Sequence, residues 1–438
     1  MTSASQTEST RPANGGSAAR PRLCILTQYF PPEMGAPQAR LSELGERLID
    51  AGWDVEALTA LPNYPTGKVF DGYDPRVPVV EQVGRIRTVR VPLYTAKVGF
   101  LKRLRSYFSF VASAKHHGPR LCQKPDLLFV ESPPLFIGYA ARALARRWRC
   151  PFVFNVSDLW PESAIRMGIV KPGLATWMAE RLELSLYRDA AAVTGQSSEI
   201  TGSVAERSPQ TRTVVITNGV DPDRFGKQFA DEEARALIGS EPGPVFIFAG
   251  LMGHAQGLDQ ILDIAASMPA DQPGRFVLVG EGPERQHLEE RIAREKIPRV
   301  KLVPAQKRER VPALLAAADV ALVSLGMSIP GAVPSKIYEA MAAQLPILLI
   351  ADGEPARRIE QAGCGIAVNP GDLEGARVAV SQLASDAALR QSLGDAGRRA
   401  AETTYNRNEI GKRLDELLRS LLGHGHPSQP RESLGPSG

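Results

Sequence analysis

Two doubly wound α/β domains in tandem, of Rossmann-like type and facing each other across a cleft, are the fold this sequence predicts. Three observations predict it. Short apolar runs alternate with segments of helical period along most of the chain, the mark of successive βαβ units. The rhythm lapses between Asp221 and Pro244 into polar, Gly/Pro-rich sequence and then restarts. The 438 residues also exceed what a single core organises, about 250–300 residues.

The first apolar run, Leu23–Gln28, reads as a buried strand. After the turn PPEMGAP, Leu41, Leu44 and Leu48 fall on one helical stripe that Gly52 ends, and Val55–Leu58 supplies the next strand. Strand Leu127–Val130, helix Ala140–Arg147 and strands Phe152–Val156 and Thr213–Thr217 continue the pattern. The second half reads as strand Val245–Ala249, helix Leu258–Ala266, strand Arg275–Val279, helix Pro283–Glu295 and strand Val300–Val303. Helix Val311–Ala317, strand Val320–Val323, helix Ser335–Ala343 and strands Ile347–Ile350 and Ile366–Val368 complete it. A last helix, Asn406–Leu422, aligns Ile410, Leu414, Leu417, Leu418 and Leu421 on one stripe. The predicted organisation is an N-terminal domain over 21–221, a linker over 222–243 and a C-terminal domain over 244–404. A helix over 405–422 then crosses back to the first domain. Residues 1–20 and 423–438 read as disordered tails, the first without the apolar segment of a signal peptide.

Composition narrows the function. With 43% apolar and 23% charged residues, the chain reads as a soluble globular protein. A net charge of only +4 argues against a polyanion binder, and no nucleic-acid partner is expected. No apolar run approaches the ~18 residues that span a bilayer. Cys24, Cys122, Cys150 and Cys364 stand singly and read as reduced thiols of a cytoplasmic protein. Asp221 and Asp223 form an Asp-x-Asp, but within a chain reversal where both are ordinary turn residues. The six histidines lack ligand spacing, so no metal is expected.

The segment VPSKIYEAMAAQLPILL, Val333–Leu349, is the most informative. Pro334 and Ser335 open a helix, Ser335 as a cap, and Lys336 adds a full positive charge where helix amides already favour anions. Glu339, three residues on, lies on the same face as an acceptor suited to a ribose diol. Phosphate beside ribose is the polar half of a nucleotide; a plain Lys336–Glu339 surface pair is the simpler alternative.

Nine blocks in order make the chain resemble the family 4 glycosyltransferases of the GT-B fold, over about Leu23–Leu422. They are QYFPPEMGAPQAR, NYPTG (Asn63–Gly67), ESPPL (Glu131–Leu135), SDLWPES (Ser157–Ser163), NGVD (Asn218–Asp221), AGLMGHAQGLD (Ala249–Asp259), VGEGPER (Val279–Arg285), PSKIYEAMA (Pro334–Ala342) and AGCGIAVNPGD (Ala362–Asp372). The combination most resembles the bacterial subgroup of WbuB-like fucosaminyl transferases of surface-polysaccharide assembly. The resemblance implies retaining transfer of a sugar from a nucleotide diphosphate sugar donor, without an essential metal, to a sugar or lipid-linked acceptor. The C-terminal domain grips the nucleotide and the N-terminal domain presents the acceptor. By the same resemblance, Lys336, Ser335 and the backbone around Gly253 hold the diphosphate, and Glu339 holds the ribose. Gly35 lets the first loop approach the phosphates, and Arg308 contacts the nucleobase.

The sequence departs from that pattern at three places. Many relatives carry a carboxylate eight residues before Glu339, where this chain has Gly331, so its task falls to the backbone of Pro330, Gly331, Ala332 and Val333. The Arg…Lys pair of the glycine-rich loop is replaced by Leu251 and Gln256, with His254 nearby. The catalytic histidine of the N-terminal domain is absent, and the matching FNVSDLWPES offers Asp158 and Glu162. Asp158, directly after a strand, is read either as proton acceptor or sugar-orienting group, or as a cap of the turn that follows. Glu162 is read as catalytic or as a first-turn glutamate favoured by the helix dipole, and Glu131 is a further acceptor-side candidate.

One constellation stands apart. In KVGFLKRLRSYFSF, Lys97–Phe110, basic residues interleave with Phe100, Leu101, Leu104, Tyr107, Phe108 and Phe110. Such a stretch suits an anionic membrane surface or, alternatively, a helix packed on the sheet with a solvated basic edge. Arg142, Arg146, Arg147 and Arg149 follow on the next helix. A dinucleotide dehydrogenase is excluded, since only Gly35 follows the first strand where Gly-x-Gly-x-x-Gly is required. A nucleotide-sugar 2-epimerase and a silent sugar-nucleotide-binding partner subunit stay open as alternatives.

Overall fold

The computed structural model describes residues 20–95, 99–239, 241–269, 271–327 and 330–423. The expected tails therefore lie outside it except for Arg20 and Gly423, and so does Lys97.

Eight strands build the first sheet: β1 (Arg22–Leu26), β2 (Asp54–Ala60), β3 (Val79–Val83), β4 (Ile86–Val91), β5 (Leu127–Ser132), β6 (Phe152–Val156), β7 (Ala192–Gly195) and β8 (Thr213–Val215). Their order is β3-β4-β2-β1-β5-β6-β7-β8, with β3 antiparallel to β4 and the other pairs parallel. The central strands are apolar runs because helices cover both faces; every residue of β5 is buried. The hairpin β3–β4 escapes prediction for the converse reason. Its outer strand VVEQV lies at the sheet edge and buries none of its residues fully.

The second sheet has six parallel strands, β9 (Val245–Ala249), β10 (Arg275–Val279), β11 (Val300–Val303), β12 (Val320–Ser324), β13 (Ile347–Ile350) and β14 (Gly365–Val368). Their order is β11-β10-β9-β12-β13-β14. Strand order reverses between β1 and β5 in the first sheet and between β9 and β12 in the second. Such switch points open a crevice at the carboxyl ends of the strands.

The last helix, Arg407–Gly423, crosses back as the apolar stripe predicts. Ile410, Leu414, Leu417 and Leu418 join Leu41, Leu44, Leu48 and Trp53 in one core, and Trp53 Nε1 donates to Asp415 Oδ1 at 2.6 Å. The two interdomain crossings are stitched together: the Val220 amide donates to Tyr405 O and the Arg407 amide to Val220 O, each at 2.9 Å. The described residues of 222–243, expected as a linker, are instead folded against the second domain. They contain a helix, Glu232–Ile238, and bury Phe225, Ala234 and Ile238 in that core, few apolar residues but well spaced. Among the described residues no helix is long and apolar enough to cross a membrane.

The domains meet at the carboxyl ends of their sheets. Residues after β7 touch the helix Gly353–Ala362 of the second domain: Ser198 Oγ donates to Glu354 Oε2 at 2.9 Å, and Arg358 Nη2 donates to Gln196 O at 2.8 Å.

Candidate active site

The cleft wall of the second domain is built around the helix Lys336–Ala342, whose Ile337, Tyr338, Ala340, Met341 and Ala342 are buried and fix its orientation. Lys336 then projects under β9. Its Nζ lies 5.1 Å from the centroid of the buried Phe248 ring, and no carboxylate pairs with it within 4 Å among the described residues. Gly250, at φ +149°, makes room for it, since a Cβ there would stand 2.3 Å from Lys336 Cε. Burial holds the ammonium below the ordinary lysine value, and the Glu339 carboxylate partly restores it. A desolvated cation without a counter-ion is a receptor for an anion.

Glu339 sits one turn further along. Burial pushes its carboxyl up, while Lys336, Arg308 and Arg224 pull it down. With Arg224, Arg308 and Arg407 it lines a small cavity of about 40 Å³ beside the interdomain crossings. Ser335 departs from the sequence reading, because its own backbone is already helical and its side chain makes no capping bond. The loop before it carries Gly331 at φ +70°, where a Cβ would stand 2.4 Å from Ile200 Cγ1 and 2.7 Å from Ser197 Oγ of the first domain. The missing carboxylate thus has a steric reason. The position is left-handed backbone pressed against the opposite domain, which only glycine fits easily. Ala332 is half-buried beside it and Val333 is buried in the core, so the loop is held firmly in the cleft.

The glycine-rich loop after β9 is arranged differently from the expectation. The Gly253 amide donates to Gln256 Oε1 at 3.1 Å, so it is closed by its own loop rather than open to phosphate. His254 is exposed, with Nδ1 2.5 Å from Glu284 Oε1. Arg308 reaches 3.7 Å from Glu43 Oε1, a carboxylate of the first domain that the sequence reading did not single out. Asp221 caps the short turn Pro222–Arg224 by accepting from the Asp223 amide at 3.2 Å, the turn role its sequence suggests.

On the facing domain, a cavity of about 520 Å³ opens at the carboxyl ends of β1, β2 and β5. It is lined among others by Tyr29, Gly35, Gln38, Arg103, Tyr107 and Glu131. Gly35 precedes the helix Ala36–Asp50 at the rim of this cavity. The floor is a buried polar network. Arg40 Nη2 donates to Glu131 Oε1 at 2.5 Å and to Ser157 Oγ at 2.9 Å, and Asn155 Nδ2 donates to Glu131 Oε2 at 2.7 Å. Burial pushes the Glu131 carboxyl up, and Arg40, Ser157 and Asn155 pull it down. Gln38, 4% exposed, has an Oε1 with no partner among the described residues. Glu33, 2% exposed, ties two rim loops together by accepting from the amides of Phe30 at 3.1 Å and of Asn63 and Tyr64 at 2.8 Å. A glutamate inside PPEMG was the available signal for that role, and Arg40 had none.

Asp158 follows β6 and turns toward its own downstream segment, accepting from Ser163 Oγ and from the Leu159 amide. Burial raises its carboxyl and the nearby Glu162 adds to the rise. Glu162 itself is bonded to Arg166 at 2.8 Å on the surface.

Comparison with known proteins agrees with this architecture. Residues 35–219 match the model of the glycosyl transferase 4-like domain, and residues 230–400 match that of the glycosyl transferases group 1. WcaI of Escherichia coli strain K12, provisionally named a colanic acid biosynthesis glycosyl transferase, is 27% identical over 334 residues, covering 73% of this chain and 81% of its own. The sucrose-phosphate synthase of Thermosynechococcus elongatus superposes with a TM-score of 0.74 at 20% identity, over 92% of this chain and 100% of the other. Anabaena Alr3699/HepE, solved with UDP and glucose, gives 0.67 at 17% identity over 92% of this chain and 100% of its own.

Proposed function

Because the chain is a glycosyltransferase of the GT-B fold, a 4-like domain followed by a group 1 domain, we propose that it transfers a sugar from a UDP-linked donor to a hydroxyl of a lipid-linked or surface-polysaccharide precursor. The proposal includes retention of configuration, independence of a metal ion and kinship with the WbuB-like subgroup. The observation that carries it is Lys336, a half-buried ammonium with no carboxylate paired to it, beside the Glu339 carboxylate. Together they supply a charge for a diphosphate and an acceptor for a ribose diol. UDP is favoured because HepE was solved with UDP, and the precursor class follows the name of WcaI.

In this reading Lys336 and the backbone of Gly331–Val333 stabilise the departing diphosphate, the group on which charge builds as the glycosidic bond breaks. Arg308 lies at the edge of the Glu339 cavity, on the nucleobase side, and the loop of Gly253 and His254 borders the phosphates. The cavity beside Gly35 and Glu131 takes the acceptor. Asp158, with its raised carboxyl, receives the acceptor proton or orients the donor sugar, and Glu162 acts on it electrostatically. The test is a nucleotide-sugar screen by thermal shift, followed by transfer assays read by mass spectrometry. Acceptor-dependent release of UDP is expected. An epimerised donor without transfer would replace this reading with the 2-epimerase. Glu339→Gln is expected to raise the donor KM about tenfold, the loss of a charge-assisted hydrogen bond, and to abolish discrimination against a 2′-deoxy donor.

The same reading places the enzyme on the inner face of the cytoplasmic membrane. The helix Phe100–Leu121 leaves Leu101 76% and Phe108 43% exposed, with Lys102, Arg103 and Arg105 also exposed. Phe108 lies 4.9 Å from Phe136, and Tyr139, 44% exposed, adjoins it. Sedimentation with vesicles containing anionic lipid is expected to fall several-fold for the double variant Arg103→Glu, Arg105→Glu, and with rising salt. Equal binding by both proteins would place the membrane contact elsewhere.

A further inference from the structure

Glu43 of the first domain stands among three arginines that belong to the other side of the cleft or to the crossings. It pairs with Arg407, the first residue of the crossing helix; its Oε1 is 3.7 Å from Arg308 Nη2 and 3.9 Å from Arg224 Nη1. It is carried on the helix Ala36–Asp50, whose buried Leu41, Leu44 and Leu48 fix that helix to the first sheet. Arg308 is carried by the second domain after β11, and Arg224 by the turn just past the first crossing. Arg224, Arg308 and Arg407 line the same small cavity as Glu339, and Arg224 and Arg308 both pull the Glu339 carboxyl down. One carboxylate of the acceptor-side domain therefore holds the cations that surround the ribose-binding carboxylate of the donor-side domain.

We infer that Glu43 is a positioning residue that couples closure of the two domains to assembly of the donor site, by holding Arg308 and Arg224 beside Glu339. The inference rests on the donor reading given above. When the domains are together, Glu43 shares the two guanidinium groups with Glu339, so neither arginine collapses onto the ribose-binding carboxylate. When they separate, Glu43 leaves with its own helix. Arg308 and Arg224 are then free to pair with Glu339 and occupy the oxygens that the ribose hydroxyls need. Arg407 also calls for a carboxylate at this spot: it is 14% exposed, and its Nε has no hydrogen-bond partner among the described residues. A buried guanidinium with unmet donors needs an anion close by. Glu43 has side-chain exposure of 23%, and Arg224 and Arg308 are 45% and 53% exposed, so the attraction between them is open to screening by salt.

Glu43→Gln keeps the shape and removes the charge, and Glu43→Asp keeps the charge. UDP binding is measured by calorimetry, and the donor kcat and KM are measured at two salt concentrations, with melting temperature as the control for packing. Glu43→Gln is expected to weaken UDP binding and raise the donor KM about five- to tenfold while kcat changes less than about twofold, with Glu43→Asp close to wild type. The donor KM of the wild type is expected to rise with salt more steeply than that of Glu43→Gln. A lowered melting temperature with unchanged KM would reduce Glu43 to a hinge-packing residue and overturn the inference. A lower KM in Glu43→Gln would overturn it as well, since the carboxylate would then compete with the donor for the arginines. Absence of UDP binding by the wild type would sink the donor reading itself, a result distinct from equal binding by wild type and variant.

Discussion

Lys336→Ala is expected to weaken binding of the nucleoside diphosphate by about 1.5–3 kcal/mol, roughly ten- to a hundredfold and more, as loss of a hydrogen bond to a charged group does. The reason is local. The ammonium lies over the Phe248 ring, in space that only Gly250 leaves open, with no carboxylate paired to it in the described structure. The stability effect should run the other way. Burial lowers the Lys336 pKa in the folded protein, so between that value and the unfolded one the unfolded chain binds more protons. The charge therefore opposes folding at neutral pH, and this penalty fades as pH rises through that window. Lys336→Met is accordingly expected to leave the melting temperature unchanged or slightly higher while donor binding is lost. The pH dependence of binding has the opposite slope, because donor affinity should fall as pH climbs toward the lowered lysine pKa. Calorimetric titration of UDP into wild type and both variants over a pH series, with the melting temperature of each protein, checks all three statements. Undiminished affinity in Lys336→Ala would remove the residue from the donor site.

Glu131→Ala is expected to destabilise the first domain by about 3–5 kcal/mol, because it leaves Arg40 buried without its counter-charge. Glu131 is 3% and Arg40 5% exposed, and the remaining partners of Arg40 in this network are neutral. At about 2–4 °C per kcal/mol for a domain of this size, the melting temperature should drop by roughly 10 °C. Replacing both members, Arg40→Met with Glu131→Leu, should recover much of the loss, since an apolar pair of similar volume also fills the site. Scanning calorimetry of the single and double variants separates the pair from its surroundings. A double variant as unstable as the sum of the singles would mean that the two residues do not act as a pair. The network also borders the cavity of the first domain through Glu131, so the double variant tests whether that cavity needs the charges for activity as well as for shape.

The architecture was legible because buried parallel strands write themselves as apolar runs. The strands β6, β9, β10, β11 and β13 have the bounds read from the sequence, and the apolar stripe of the last helix leads it back onto the first domain. Elements escape that signal where their burial is one-sided, their runs are short or their buried positions are polar. The edge strand β3 and the helices Leu373–Ser385 and Ala387–Glu402 mix exposed polar positions with buried apolar ones, the helix Leu174–Asp189 exposes Leu174, Trp177 and Met178 while burying Thr176 and Glu183, and β7 is fully buried but only four residues long. The segment 222–243 was misread because three buried residues suffice to fold it when a ready-made domain surface lies alongside.

What the sequence determined by itself is the two-domain α/β order and the Lys336–Glu339 pair, since a helix places residues three apart on one face whatever surrounds it. What only the tertiary structure decided is every relation between distant segments. Arg40 meets Glu131 across 91 positions, Glu43 reaches Arg308 across the cleft, and Gly331 faces Ser197 and Ile200 of the opposite domain. Electrostatic partners and steric limits of this kind depend on distance in space. The chain fixes such distances only after both sheets have formed and the last helix has tied one domain to the other.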